Sequence, residues 1–406
     1  MNDRITEQER PWSAGAALLR LTLVACLFLY QSSEVSGSFG RLAGVAWLVP
    51  HVLIAGLFTL AGLLSMQSLE AHGAGRFLRR RAARLAPLLL VAVMLPSLVI
   101  GPLVSVRPMP AYLADPELWS WFLNLVFWPQ FTLPGVFLLN VVPRVVNDIM
   151  WTLPVAVAAA MALCVTAIRP QRAAGVLSAM LVLLASAALA AGGSGLDTAM
   201  VNKTLGAAAA FMLGALAHVL GRRLPRTLKR SAIAAIAIAA AVIMGVAVLG
   251  QRNWLLLPAF NVLLAVPIAC LVVVPAGISL RASPLVTALQ RYAGGAFLMA
   301  YPVQQAAIAL GSTNQGFVIN VLASLPVTLV IAALSWHLFE ARVVARAARG
   351  ADAVLPDAVP GLSLAQARRL LVEKLPELGL WLVFLALAWA VMAITVFAFQ
   401  PDRGGI

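Results

Sequence analysis

The chain has 406 residues, of which 62% are hydrophobic and only 11% charged, with a mean hydropathy of +0.94. That balance excludes an ordinary soluble domain, and because the apolar runs do not alternate with polar residues it also excludes a transmembrane β-barrel. The formal net charge of +14 reads as orientation signals in short loops, not as a nucleic-acid surface.

A bilayer-crossing helix needs roughly 20 apolar residues, and in chain order we expect spans at Ala14 to Tyr30, Val45 to Met66, Pro87 to Val104 and Trp151 to Ile168. Further spans follow at Val176 to Ala191, Leu205 to Leu220, Ile233 to Leu249, Leu255 to Val274, Ala296 to Leu310, Phe317 to Phe339 and Leu378 to Phe399. The first span carries Arg20 and leads into a second span instead of a cleavage site, so no cleavable signal peptide is expected. Basic clusters follow spans two, four, six and ten, all on one side if every span crosses once. That side is expected to be cytoplasmic. The N-terminus is then inside and the outer end of span one lies outside.

Two segments break the pattern. Ser105 to Met150 is a long outer loop rich in proline. Its Leu118 to Trp128 part is too short to span and is expected as an interfacial or re-entrant helix, with Trp119, Trp121 and Trp128 near the headgroups. Gly350 to Glu377 is expected as a cytoplasmic linker whose Leu362 to Leu375 part forms an amphipathic helix on the inner leaflet. The expected organisation is a cytoplasmic N-terminus (1–13), a transmembrane domain (14–345), this linker (346–377) and an extra C-terminal transmembrane helix with a short outer tail (378–406).

Few residues can carry chemistry. Arg20 is a charge inside a span, which costs a few kcal/mol unless it faces a polar cavity or a carboxylate. A packing role through backbone carbonyls is the alternative. Eleven positions on, Gln31 sits in the polar cluster Tyr30-Gln31-Ser32-Ser33-Glu34 at the expected membrane edge. A carboxamide donates and accepts hydrogen bonds but does not titrate. Glu34 is a possible base or an exposed loop carboxylate. His51 in the outer half of span two is a possible base or a packing histidine. His72 and His218 lie at cytoplasmic edges and are expected to be solvated. Arg76, Arg79, Arg80, Arg81 and Arg84 form a basic run that suits phosphate binding or serves topology alone. The cysteines Cys26, Cys164 and Cys270 all lie in apolar segments without metal-ligand spacing, so neither a metal nor a disulfide is expected.

Several motifs resemble the acyltransferase-3 family of integral membrane acyltransferases over about residues 14 to 345. The family writes an arginine, ten residues and a histidine, usually as Tyr-His-Ser. Here Arg20 and Tyr30-Gln31-Ser32 keep the spacing and lose the histidine. The run Arg76 to Pro87 is similar to the family's basic run. Pro134-Gly135-Val136-Phe137 and Trp151-Thr152-Leu153-Pro154-Val155 resemble glucan-succinylating members, which usually continue the second motif with glutamate where this chain has Ala156. Tyr301-Pro302-Val303-Gln304-Gln305 and Leu334-Ser335-Trp336-His337-Leu338-Phe339-Glu340 match the last two core spans. The departures strip polar groups: Ala61-Gly62 replaces Ser-Gly, Ala293-Gly294 replaces Ser-Tyr, and Phe297 replaces a tyrosine.

The resemblance implies an all-α polytopic membrane protein, a ten-helix bundle plus one C-terminal helix, in the bacterial inner membrane. It implies acyl-CoA, as acetyl-CoA or succinyl-CoA, as the donor, with Arg76, Arg79, Arg80, Arg81 and Arg84 binding it and with no metal. The acceptor implied is a periplasmic or cell-surface glycan, with Trp151, Pro154, Tyr301, Gln304, Gln305, His337 and Glu340 as acceptor-binding or structural motif residues. Loss of histidine and glutamate with the scaffold retained leads to the expectation of a catalytically degraded member, acting with an active acyltransferase or glycan-export partner. The alternatives are an active enzyme using His51 or Glu34 as base with Arg20 stabilising charge, and a transporter or flippase of glycan or acyl intermediates.

Overall fold

Without water in the hydrocarbon core, each apolar run satisfies its backbone groups by coiling into helix. The computed structural model describes residues 13–39, 48–193, 198–221, 258–276, 284–311 and 316–344, with isolated positions at 238, 239, 241, 242, 245 and 346. The architecture is all-α and polytopic, with no strand among the described residues. Its long helices are α1 (Ser13–Val35) and α2 (Leu48–Leu95). The outer segment carries the short α3 (Met109–Ala114) and α4 (Pro116–Trp121). Then come α5 (Thr152–Leu163), α6 (Ala173–Gly193), α7 (Thr198–Gly221), α8 (Pro258–Ala276), α9 (Pro284–Leu310) and α10 (Phe317–Ser335). Six stretches among the described residues are long and apolar enough to cross a membrane, one of them the 57-residue Leu48–Val104. The seventh expected span lies outside the described residues apart from the isolated positions. The linker Gly350 to Glu377 and the eleventh span lie wholly outside them.

Two spans joined by a basic loop were expected between Val45 and Val104. The structure has a helical hairpin instead, and the arginine run is itself helical. Arg81 Nη1 donates to Ser65 Oγ at 2.8 Å, yet sixteen residues along a straight helix would separate them by about 24 Å. The fold-back occurs at Gly73, with φ 74° and ψ 165°, a backbone region open essentially to glycine alone. The second arm continues beyond Leu95 through a wide turn at Pro96–Ile100 to Val104.

The closest helix crossing is between α2 and α7. A Cβ on Gly62 would stand 1.9 Å from the Phe211 carbonyl oxygen, and one on Gly214 would stand 1.9 Å from the Thr59 carbonyl oxygen. Two glycines thus let the backbones touch, the usual route to tight association where lipid removes the hydrophobic drive between helices. The facing stretch of α7 is small too, with Ala207, Ala208, Ala209 and Ala210 all buried.

The outer segment is a folded cap. Ser105 Oγ donates to the Pro134 carbonyl at 2.7 Å, and the Val146 N–H to the Phe131 carbonyl at 2.7 Å. Gly135 and Phe137 both adopt positive φ, 67° and 56°, and burial of the Phe137 ring holds that turn. One expectation fails here. Trp119 is exposed as expected for a headgroup contact, but Trp121 is fully buried and donates its indole N–H to the Val93 carbonyl at 2.9 Å. It anchors the cap to the second arm of α2.

Gly62→Leu and Gly214→Leu are each expected to destabilise the bundle by at least the roughly 1–3 kcal/mol typical of overpacking. Gly175→Leu, at a position where a Cβ meets nothing within 4 Å, is the matched control. Thermal unfolding in detergent checks this, and equal midpoints for all three variants would refute the crossing.

Candidate active site

Span one was expected to end at Tyr30, but α1 runs on to Val35, so Gln31 and Glu34 are helical and face inward. The extra turn completes one wall of a cavity of about 200 Å³ at the end of the bundle where α1 finishes. Tyr30, Gln31 and Glu34 come from α1, and His51 from the start of α2. Asp148 and Trp151 come from the end of the cap, Asn202 and Lys203 from α7, Asn261 from α8 and Tyr301 from α9. Glu34 is therefore no exposed loop carboxylate. It feels the charges of both Asp148 and Lys203. His51, read as either packing residue or base, lines the same space as Gln31.

Gln31 and the indole of Trp151 in this wall have no hydrogen-bond partner among the described residues. Gln31 is 3% exposed, and among the described residues its carboxamide makes no hydrogen bond. Trp151 is also 3% exposed, and its indole N–H has no acceptor. Buried polar groups are otherwise almost always paired, so both are poised for a ligand or water. Pro154 is buried in the first turn of α5, where its missing N–H breaks no helical bond.

The paired glutamines hold this wall in place. Gln304 and Gln305 are fully buried. Gln304 Nε2 donates to the Phe28 carbonyl of α1 at 2.9 Å. Ser32 Oγ donates to Asn320 Oδ1 at 2.6 Å, and Asn320 Nδ2 donates to the Gln304 carbonyl at 3.0 Å. Gln305 clamps the cap: its Nε2 donates to the Val142 and Val145 carbonyls, and its Oε1 accepts from Asn140 Nδ2 at 2.7 Å. Pro302 cannot supply the N–H that the Leu298 carbonyl would accept in a regular helix. Asn147 Nδ2 fills that place at 2.9 Å.

Arg20 is not in the cavity. Eleven residues of helix place it about 16 Å below Gln31 but only about 20° around the axis, so both lie on one stripe of α1. Its charged neighbours are Arg84 and Glu340. Glu340 is buried and accepts from Ser335 Oγ at 2.7 Å. A Cβ on Gly294 would lie 3.6 Å from Arg20 Nη2, so this glycine leaves room beside the guanidinium. His337 stands nearby in the chain, with its Nε2 3.0 Å from the Tyr292 hydroxyl.

The basic run divides. Arg81 donates to Ser65 and, at 3.3 Å, to the Ala156 carbonyl, and lies over the Phe211 ring at 5.8 Å. Arg80 donates to His72, whose Nδ1 lies 2.9 Å from the Ser68 carbonyl. These two arginines close the hairpin. Arg76, Arg79 and Arg84 make no hydrogen bond or salt bridge among the described residues. His72 and His218 are not simply solvated: His218 Nε2 lies 3.0 Å from Glu70 Oε2.

Asp148, Asn202, Lys203 and Asn261 were not singled out in the sequence. The signal was present as polar residues near the ends of apolar helices, where such groups face the bundle interior. Among the described residues no cluster of histidine, cysteine and carboxylate side chains is arranged to hold a metal ion.

Compared with family models, the chain matches the acyltransferase-3 model, an acyltransferase domain, over residues 52–337. That range starts after Arg20, Gln31 and His51. No curated protein and no solved structure matches the chain.

Asn147→Ala is expected to cost about 1–3 kcal/mol, because it leaves the Leu298 carbonyl buried without a donor. In a Pro302→Ala background the backbone regains its own N–H, and the cost should shrink. Unfolding midpoints of the two single variants and the double variant decide it, and strictly additive losses would reject the pairing.

Proposed function

We propose that this chain, which belongs to the acyltransferase-3 family of membrane acyltransferases, is an active member that acylates a hydroxyl of a periplasmic or cell-surface glycan at the outer face of the bacterial inner membrane. The observation that carries this reading is the position of His51. The family's histidine is absent at Gln31, but an imidazole lines the same cavity from the neighbouring helix, with Glu34 and Asp148 in the same wall. An imidazole with carboxylates beside it can take a proton and return it near neutral pH.

The step balances as follows. His51 takes the proton of the acceptor hydroxyl as its oxygen attacks the carbonyl carbon of the acyl-CoA thioester. The tetrahedral oxyanion accepts hydrogen bonds from donors in the wall, with the Gln31 carboxamide the nearest in role to the family's polar cluster. The carbon–sulfur bond then breaks, the ester remains on the glycan, and the CoA sulfur leaves with the proton from His51. Arg20, about 16 Å down the helix, is too far to stabilise that oxyanion and serves the cytoplasmic, donor end. Arg76, Arg79 and Arg84 are the guanidinium groups left free to meet CoA phosphates. Arg80 and Arg81, needed to close the hairpin, are poor choices for testing donor binding.

A second reading rests on Gln31 itself, which has no proton to exchange. In it the chain is a degraded member that assists an active acyltransferase or glycan-export partner. A transporter of glycan or acyl intermediates would instead show no dependence on acyl-CoA.

The test is CoA release by the chain in proteoliposomes, with acetyl-CoA or succinyl-CoA and a glucan acceptor. His51→Ala is expected to lower kcat by about 10²–10⁴-fold and leave donor binding intact. Arg79→Ala with Arg84→Ala should weaken donor binding. Donor binding without turnover by the wild type would support the degraded reading. Turnover indifferent to His51→Ala would place the base elsewhere.

A further inference from the structure

We infer that the outer cavity is an acceptor subsite for a single uncharged sugar ring, gripped by Gln31 and by the opposed charges of Glu34, Asp148 and Lys203, and that it turns away uronic or phosphorylated rings. This rests on the acyl-transfer reading above and names its acceptor.

Size sets the first limit. An apolar cavity of about 150 Å³ holds one benzene ring, and this cavity is about 200 Å³. One six-membered ring with its hydroxyls fits within that volume. In this reading the neighbouring sugars of a chain lie outside the cavity mouth.

Hydrogen-bonding capacity sets the second. A carboxamide offers one acceptor oxygen and two N–H donors. Gln31 is 3% exposed and has none of these engaged by a described residue. Neighbouring sugar hydroxyls, each both donor and acceptor, are the natural complement. A histidine at this position would offer one donor and one acceptor, so the glutamine adds a hydroxyl contact while surrendering the proton. The indole N–H of Trp151, buried without an acceptor, adds a further donor on the wall.

Charge sets the third. Glu34 stands in the field of both Asp148 and Lys203, and His51 lines the same wall, so its ionisable groups are two carboxyls, one amine and one imidazole. A neutral ring lets the carboxylates accept from its hydroxyls and lets the ammonium donate to them, which gives charge-assisted bonds stronger than neutral ones. An anionic ring sets its own charge against the carboxyl groups of Glu34 and Asp148, in a site where low dielectric magnifies repulsion. The apolar side chains of Ile54 and Leu264 complete the wall and suit the C–H faces of a pyranose.

The experiment is calorimetric binding of a neutral β-glucan tetrasaccharide and of a galacturonate tetrasaccharide to the full chain in nanodiscs, without acyl donor. The neutral sugar should bind at least about tenfold tighter than the anionic one. Gln31→Met, which keeps size and loses the polar group, should weaken the neutral sugar about tenfold. Trp151→Phe, which keeps the ring and loses the N–H, should weaken it by a smaller factor. Asp148→Asn should narrow the preference for the neutral sugar. The inference is overturned if galacturonate binds as tightly, if neither sugar binds, or if Gln31→Met changes nothing. Because binding needs no turnover, an inactive or His51-independent enzyme leaves this result standing. Turnover that survives with binding indifferent to Gln31 and Asp148 removes this inference alone.

Discussion

The contact of bare backbone between α2 and α7 at Gly62 and Gly214 governs the arrangement of the site. His51 lies eleven residues before Gly62, and Lys203 eleven residues before Gly214. Eleven residues of helix return to nearly the same face, so the faces that carry the glycines into contact also carry His51 and Lys203 toward each other about three turns higher. The cavity lies at that level, with His51 from α2 and Lys203 from α7 in its wall. A methyl group at either glycine would meet a carbonyl oxygen at 1.9 Å and push both walls apart.

The third wall is set by polar bonds, because apolar packing between helices in lipid has little orientational preference. Gln304 fixes the height of α1 through the Phe28 carbonyl, and Ser32 and Asn320 fix its rotation. Rotation matters most on this helix, since Arg20 and Gln31 share one stripe. Turning α1 by a third of a turn would remove both from the interior together. Gln305 and Asn147 then tie the cap to α9, which brings Asp148 and Trp151 over the cavity. The two glutamines of the Pro-Val-Gln-Gln segment therefore act as positioning residues. Both are fully buried and bonded to backbone through their Nε2 groups, with Gln304 Oε1 the one atom of the pair without a partner among the described residues.

Much of this was legible in the sequence. Length and hydropathy gave the all-α membrane class, and the motifs, the spacing of Arg20 and Gln31 among them, gave the family. The hairpin was hidden because a run of arginines between apolar segments looks like a loop, when the guanidinium groups in fact pair across it and let helix continue to the turn at Gly73. Glu34 was misjudged through the boundary of span one, where a serine pair mimics a helix end. Trp121 was placed at the headgroups on residue type alone, although a cap with its own core can bury a tryptophan. Lys203 and Asp148 were missed because a single polar residue near a span end looks like ordinary flank. Only their convergence from separate helices marks them.

The departures from the family pattern take on a different sense once they are located. Gly294, in place of tyrosine, leaves room beside Arg20 at the inner level. Ala156, in place of glutamate, lies where Arg81 already donates to the backbone carbonyl, so the guanidinium retains an acceptor without the carboxylate. Gln31 exchanges a titrating ring for a carboxamide in a wall that holds another imidazole. At Ala156 and at Gln31 the loss sits beside another polar group, the Arg81 guanidinium in the one case and the His51 imidazole in the other. Arg81 stays bonded inside the bundle at the hairpin, while His51 and Lys203 line the cavity.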